Sequence, residues 1–144
     1  MAGRAGASAC RDGRATVVGA MEGNMADMNR YMVNAPSDSQ LRTMAETQPR
    51  TIRELLVNHA KLSTGDLARV ASAGRFAEDR SICAGPLHAL ALGHESIIVR
   101  EAALQGMESD GSPDVRETLD HVARNDSSQV IREIAIEMLA WFDE

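Results

Sequence analysis

Past Pro36 the apolar residues recur every three or four positions, and the interruptions fall where helices start or stop. Ser37 with Gln40 three residues on forms an S-x-x-Q capping box, and Leu41, Met44 and Ala45 supply the apolar edge behind it. Pro49 suits the first turn of a second helix, whose face is Ile52, Leu55, Leu56, His59 and Leu62. Ser63, with Asp66 at the third helical position, opens a third helix that carries Leu67, Val70 and Ala71 and stops at Gly74. Gly85-Pro86 predicts a break. A proline inside a helix loses a hydrogen bond and clashes with the preceding turn, whereas at the first helical position it costs nothing, so Pro86 to Leu92 is expected as a short helix closed by Gly93.

The next helix is expected from Ser96 to Met107, followed by a loop over Glu108 to Gly111. Ser112-Pro113 then reads as a cap and a first-turn proline, opening a helix with Val115, Leu119 and Val122 on one side and Arg116, Glu117, Asp120 and Arg124 on the other. Asn125 to Ser128 recaps the chain for a last helix, Gln129 to Phe142. This helix is apolar on two faces: Ile131, Ile134, Ala135, Met138 and Phe142 make one, and Val130 and Trp141 broaden it. A helix apolar over so much of its girth is expected to be buried by neighbours on both sides. No alternating run bounded by hairpin turns occurs, so the fold class is all-α.

Residues 1–36 read differently. They are rich in Gly, Ala, Arg and Met, and their one helical spacing is Met21, Met25, Met28 and Met32. The chain therefore divides into a poorly structured or docking N-terminal segment, 1–36, and a helical repeat domain, 37–144.

The repeat is carried by one phrase that occurs twice. Ser96 laid on Ser128, 32 residues later, pairs Val99 with Ile131, Arg100 with Arg132, Glu101 with Glu133, Ala103 with Ala135, Leu104 with Ile136 and Met107 with Leu139. Buried helices alternating with half-exposed ones at a fixed period make an α-solenoid, in which neighbouring units complete each other's core. Within it the small Ala103 and Ala135 allow close helix approach, Leu104 and Ile136 fill the space beside them, and Arg100 and Arg132 reach an acidic side chain or a helix C-terminus in the adjacent unit.

SIIVREAALQGM and DSSQVIREIAIEML resemble the first-helix pattern of HEAT-like repeats, in the compact bacterial form. The resemblance covers residues 76–142, extends loosely over 37–75 and does not reach 1–36. It implies a short α-solenoid of HEAT-like helix pairs. GPLHALALGHESIIV also resembles the ankyrin phrase through Pro86, Leu87, His88, Gly93 and His94, so ankyrin-like repeats, or an irregular helical bundle, are the alternative architectures.

Composition narrows the function. The aromatic share is 3% against 44% hydrophobic, which suits closely packed helices. A net charge of −6 disfavours nucleic acid and anionic membrane surfaces as partners. Cys10 and Cys83, far apart and in no CxxC or Cys/His cluster, read as free thiols of a reducing compartment, with the cytoplasm the expected location. No run of eighteen apolar residues and no signal-peptide core occurs, so the chain is expected neither to be exported nor to span a membrane.

The chemistry-bearing residues have structural readings. Cys83, His88 and His94 lack a fourth metal ligand and an i, i+4 histidine pair. Packing and capping account for them, with His88 bonding a loop backbone and His94 standing where the later repeat has Asp126. His121 beside Asp120 belongs to a solvated helix face. The common phosphate, zinc and acyl-transfer signatures are missing, so no enzymatic activity, cofactor or metal is expected.

The surface left for function is Arg116, Asp120 and Arg124, one turn apart, together with Trp141 and Phe142. The last helix, ending on Trp141-Phe142 with no polar capping unit after it, is expected to form a homodimer through one of those aromatics, intramolecular capping by the Met-rich segment being the alternative. The sequence thus reads as a non-enzymatic HEAT-like scaffold for an unidentified protein partner. The resemblance leaves two alternatives open. One is a nucleic-acid-acting protein similar to the alkylpurine DNA glycosylases, and the other is an accessory protein to a cofactor, because bilin lyases also carry short HEAT-like units.

Overall fold

A computed structural model describes residues 36–142, and every structural statement here concerns those residues. They form seven α-helices and no strand: α1 Asp38–Thr47, α2 Pro49–Val57, α3 Thr64–Ala73, α4 Ser81–Gly93, α5 Ile97–Gly106, α6 Pro113–Asn125 and α7 Gln129–Phe142. Short 3₁₀ turns follow α2 (His59–Lys61) and α3 (Gly74–Phe76). The Met21, Met25, Met28 and Met32 stripe, and with it the 1–36 segment assigned from sequence, lies outside the described residues save Pro36.

Local chemistry sets most of these boundaries. At α1 the Ser37 hydroxyl accepts from the Gln40 amide while the Gln40 side chain accepts from the Ser37 amide, closing the capping box. Ser63 and Ser112 cap α3 and α6 in the same way from one side, accepting from the Asp66 and Val115 amides, and Pro49 and Pro113 occupy the first turns of α2 and α6.

Two expectations fail on instructive grounds. Helix α2 stops at Val57, so His59 and Leu62 are not on its face. Asn58 ends it, donating both its backbone amide and its side-chain amide to the Glu54 carbonyl, a local bond that competes with helix continuation. Conversely, α4 runs unbroken through Gly85-Pro86, from Ser81 to Gly93. The proline costs roughly 3 kcal/mol in a helix interior. The stripe it would sever is Cys83, Leu87, Leu90 and Ala91, all buried, and each leucine alone contributes about 1.5–3 kcal/mol. Burial outweighs the lost hydrogen bond.

The helices pack in two rows. Helix α2 lies on α4 and α4 on α6, while α3 lies on α5 and α5 on α7; α2 with α3, α4 with α5 and α6 with α7 join the rows, and α1 rests on α2 and α3. Helices α2, α4 and α6 begin at residues 49, 81 and 113, a constant interval of 32. Ile52, Leu56, Leu67, Val70, Val99, Leu104, Leu119 and Ile131 are among the fully buried side chains between the rows. The tightest contact is α3 on α5. A Cβ at Gly106 would fall 2.3 Å from the Ala71 carbonyl oxygen, so this approach excludes any residue but glycine.

Helix α7 departs from expectation. Ile131 and Ala135 are buried, but Val130, Ile136 and Trp141 are exposed, so the helix is covered on one face rather than on both sides. Its packing partners α6 and α5 cover the Ile131–Ala135 face and leave the flanks in water.

Candidate functional site

Among the described residues, the loop between α6 and α7 carries a dense set of hydrogen bonds. Asp126 sits there with Arg100 of α5 lying side by side against it: Nε to Oδ2 is 2.9 Å and Nη2 to Oδ1 is 3.1 Å. Arg100 is only 8% exposed, and its Nη1 also donates to the carbonyls of His94 and Glu95 at 2.8 and 3.1 Å. A buried guanidinium is stable only when paired in this way. The next pair repeats half of the pattern. Arg132 Nη1 donates to the Asp126 carbonyl at 2.6 Å, six residues back, as Arg100 does to His94. His94 Nδ1 accepts from the Ser96 amide at 3.0 Å, and Asp126 Oδ1 accepts from the Ser128 amide at 2.8 Å. His94 therefore does stand in the place of Asp126. Arg100 reaches the neighbouring pair's carboxylate, as expected, but Arg132 turns back to its own loop. On the opposite side Arg80 donates to the Gly106 and Glu108 carbonyls at 2.8 and 2.7 Å, satisfying the C-terminal end of α5. No periodic signal in the sequence marks Arg80.

The expected binding residues fall into two groups. Asp120 and Arg124 pair along α6 at 3.3 Å, both well exposed, which makes a screened surface pair of little energetic weight. Arg116 places its guanidinium 5.7 Å from the ring centroid of Phe142, a cation–π contact that joins α6 to the end of α7. Phe142 is half-buried by this arrangement. Trp141 is 58% exposed.

A concavity that sequence reasoning did not find lies elsewhere, between α1, α3 and α5. It encloses about 350 Å³, with Asp38, Arg69, Arg75, Phe76, Ile98 and Glu101 in its lining. The guanidinium carbons of Arg42 and Arg75 each lie 4.5 Å from the Phe76 ring centroid, Arg69 holds Asp38 at 2.9 Å, and Arg75 also bonds the Ser72 side chain and carbonyl. Arg42 and Phe76 are 34 positions apart, so only the fold brings them together.

The cysteine and histidines have structural settings. Cys83 is buried with its Sγ 3.7 Å from the Pro49 carbonyl, and burial pushes its thiol up to about 11, which keeps it protonated and a poor nucleophile at neutral pH. His88 does not bond a loop backbone: its Nδ1 meets the Thr118 hydroxyl on α6, because α4 and α6 pack directly and turn that face of α4 inward. His121 is exposed on α6 beside Asn125. Asp79, also exposed, has its carboxyl held below the usual range by the hydroxyl and amide of Ser81. No group of three or more His, Cys, Asp or Glu that could hold a metal ion occurs among the described residues. No helix among them is long and apolar enough to cross a membrane.

Against known proteins, the chain matches no family model, no curated protein and no solved structure.

Proposed function

We propose that the chain is a short solenoid of HEAT-like helix pairs and serves as a non-enzymatic cytoplasmic scaffold. It binds a protein partner through α6 and the end of α7. The constant 32-residue interval between α2, α4 and α6, and the two-row packing, support the repeat reading. The observation that carries the binding reading is the exposed Trp141 beside the Arg116–Phe142 contact. Aromatic and arginine side chains are the residue types that anchor protein interfaces, and a half-exposed tryptophan on a helical surface is the kind of anchor that a partner pocket covers. Asp120 and Arg124 supply the polar rim.

Affinity capture with the full chain from its native host tests this. The expected result is a saturable protein partner whose capture is lost in Trp141→Glu and weakened in Arg116→Ala, with circular dichroism unchanged. Tight DNA binding at physiological salt, or a chromophore bound to the purified chain, would overturn the reading in favour of the nucleic-acid or cofactor-accessory alternative.

A further inference from the structure

The concavity between α1, α3 and α5 has two opposite charges in its wall, Arg75 and Glu101, and they do not pair with each other. Other arginines of low exposure have carboxylates: Arg100 holds Asp126, and Arg69 holds Asp38 and Asp66. Arg75 is different. It is half-buried, and its bonds go to the neutral hydroxyl and carbonyl of Ser72 while its guanidinium lies over the Phe76 ring. Glu101, half-buried on α5, makes no hydrogen bond or ion pair among the described residues. Charged groups drawn partly out of water gain from a partner of opposite sign, and each of these two lacks one.

The 32-residue repeat shows how a glutamate at this position is otherwise satisfied. Glu133 on α7 matches Glu101, and it accepts a hydrogen bond from the Gln129 side-chain amide at 3.0 Å, one turn back. The residue that matches Gln129 is Ile97, which has no side-chain donor. Glu101 has therefore lost its local partner and kept its charge, in the wall of a cavity. Ile98 lines the same cavity and is 61% exposed, so an apolar surface stands beside the two charges.

A simple anion on Arg75 would meet Glu101, and a simple cation on Glu101 would meet Arg75. A molecule that carries both charges a few bonds apart satisfies both. A carboxylate accepts the paired N–H groups of a guanidinium, and an ammonium donates to a carboxylate. The Phe76 ring and Ser72 already hold the Arg75 guanidinium, which leaves less side-chain freedom to lose on binding. The volume of about 350 Å³ falls at the small end of ligand cavities. We infer that this concavity is a binding site for a zwitterionic α-amino acid with an aliphatic side chain. Its carboxylate lies on Arg75, its ammonium on Glu101 and its side chain against Ile98. The site stands on other residues than the proposed partner surface of α6 and the end of α7, and its test uses the purified chain alone.

Titration of the full chain with L-leucine, followed by amide NMR shifts, reads this site directly. The expected result is a saturable shift centred on α3 and α5, with helix content unchanged by circular dichroism. Two single-charge analogues dissect the recognition: 4-methylpentanoate lacks the ammonium and 3-methylbutylamine lacks the carboxylate. Each is expected to bind about tenfold or more weakly than L-leucine, the loss of one charge-assisted bond. Glu101→Gln keeps the shape of the wall and is expected to weaken L-leucine to a similar degree while leaving 4-methylpentanoate no weaker. Arg75→Gln is expected to weaken both. An absence of saturable shifts with L-leucine into the millimolar range overturns the inference, as do shifts confined to α6 and α7. Equal binding of L-leucine and 4-methylpentanoate, or L-leucine binding unchanged in Glu101→Gln, rejects the zwitterion.

Discussion

Helices α5 and α7 are written in nearly the same residues and live in different environments. Val99 and Ile131, and Ala103 and Ala135, are equally buried. The divergence begins one step around the helix. Leu104 is fully buried where Ile136 is half in water, and Arg100 has a carboxylate where Arg132 has a loop carbonyl. Sequence similarity therefore sets what a helix does within its pair. What it does beyond its pair depends on which long-range contacts its outer flank makes.

Substitutions at matched positions probe that difference. The largest contrast is expected at the arginines. Arg100→Met strands a buried carboxylate and costs about 3–5 kcal/mol, whereas Arg132→Met costs about 1 kcal/mol or less; urea unfolding of the two variants measures both. Next, Leu104→Ala opens a cavity in the core and is expected to cost about 2–5 kcal/mol, against less than about 0.5 kcal/mol for Ile136→Ala in the monomer. Equal losses at these two positions would erase the distinction between the helices. A smaller effect, and one expected to be the same in both helices, comes from Ala103→Leu and Ala135→Leu. Each overpacks a fully buried site by roughly 1–3 kcal/mol, and unchanged melting temperatures would show that the two helices are not in register. The smallest contrast lies at the caps. The Ser128 hydroxyl accepts from the Ile131 amide at 3.4 Å while Ser96 makes no such bond, so Ser128→Ala is expected to cost about 0.5–1 kcal/mol and Ser96→Ala less.

What could be read from the chain was what depends on neighbours in sequence. The Ser37 box, the Ser63 and Ser112 caps, the first-turn prolines and the Val115–Leu119–Val122 stripe all rest on residues within one or two turns, and the structure has them as expected. Pro86 misled because its local cost is known while the burial of Cys83 and Leu87 on either side of it is decided by α2 and α6. His88 meeting Thr118, Arg80 closing the end of α5 and two arginines gathering at Phe76 are contacts over 26 to 34 residues for Arg80, His88 and Arg42, and no spacing rule reaches them. For the site, the residues were legible and their pairings were not. Arg116, Asp120, Arg124, Trp141 and Phe142 could be nominated from helical phase, but that Arg116 would cover Phe142 and leave Trp141 exposed follows from how far α7 extends along α6.

Asp126 also couples the folding of two helix pairs. Its carboxylate belongs to Arg100 of one pair, and its carbonyl and the turn it caps belong to the other. Fraying of α6 and α7 would uncover the buried Arg100 guanidinium of α5, so these two helices cannot open alone at little cost. In hydrogen exchange the amides of α5 and α7 should therefore behave as one cooperative unit rather than opening independently.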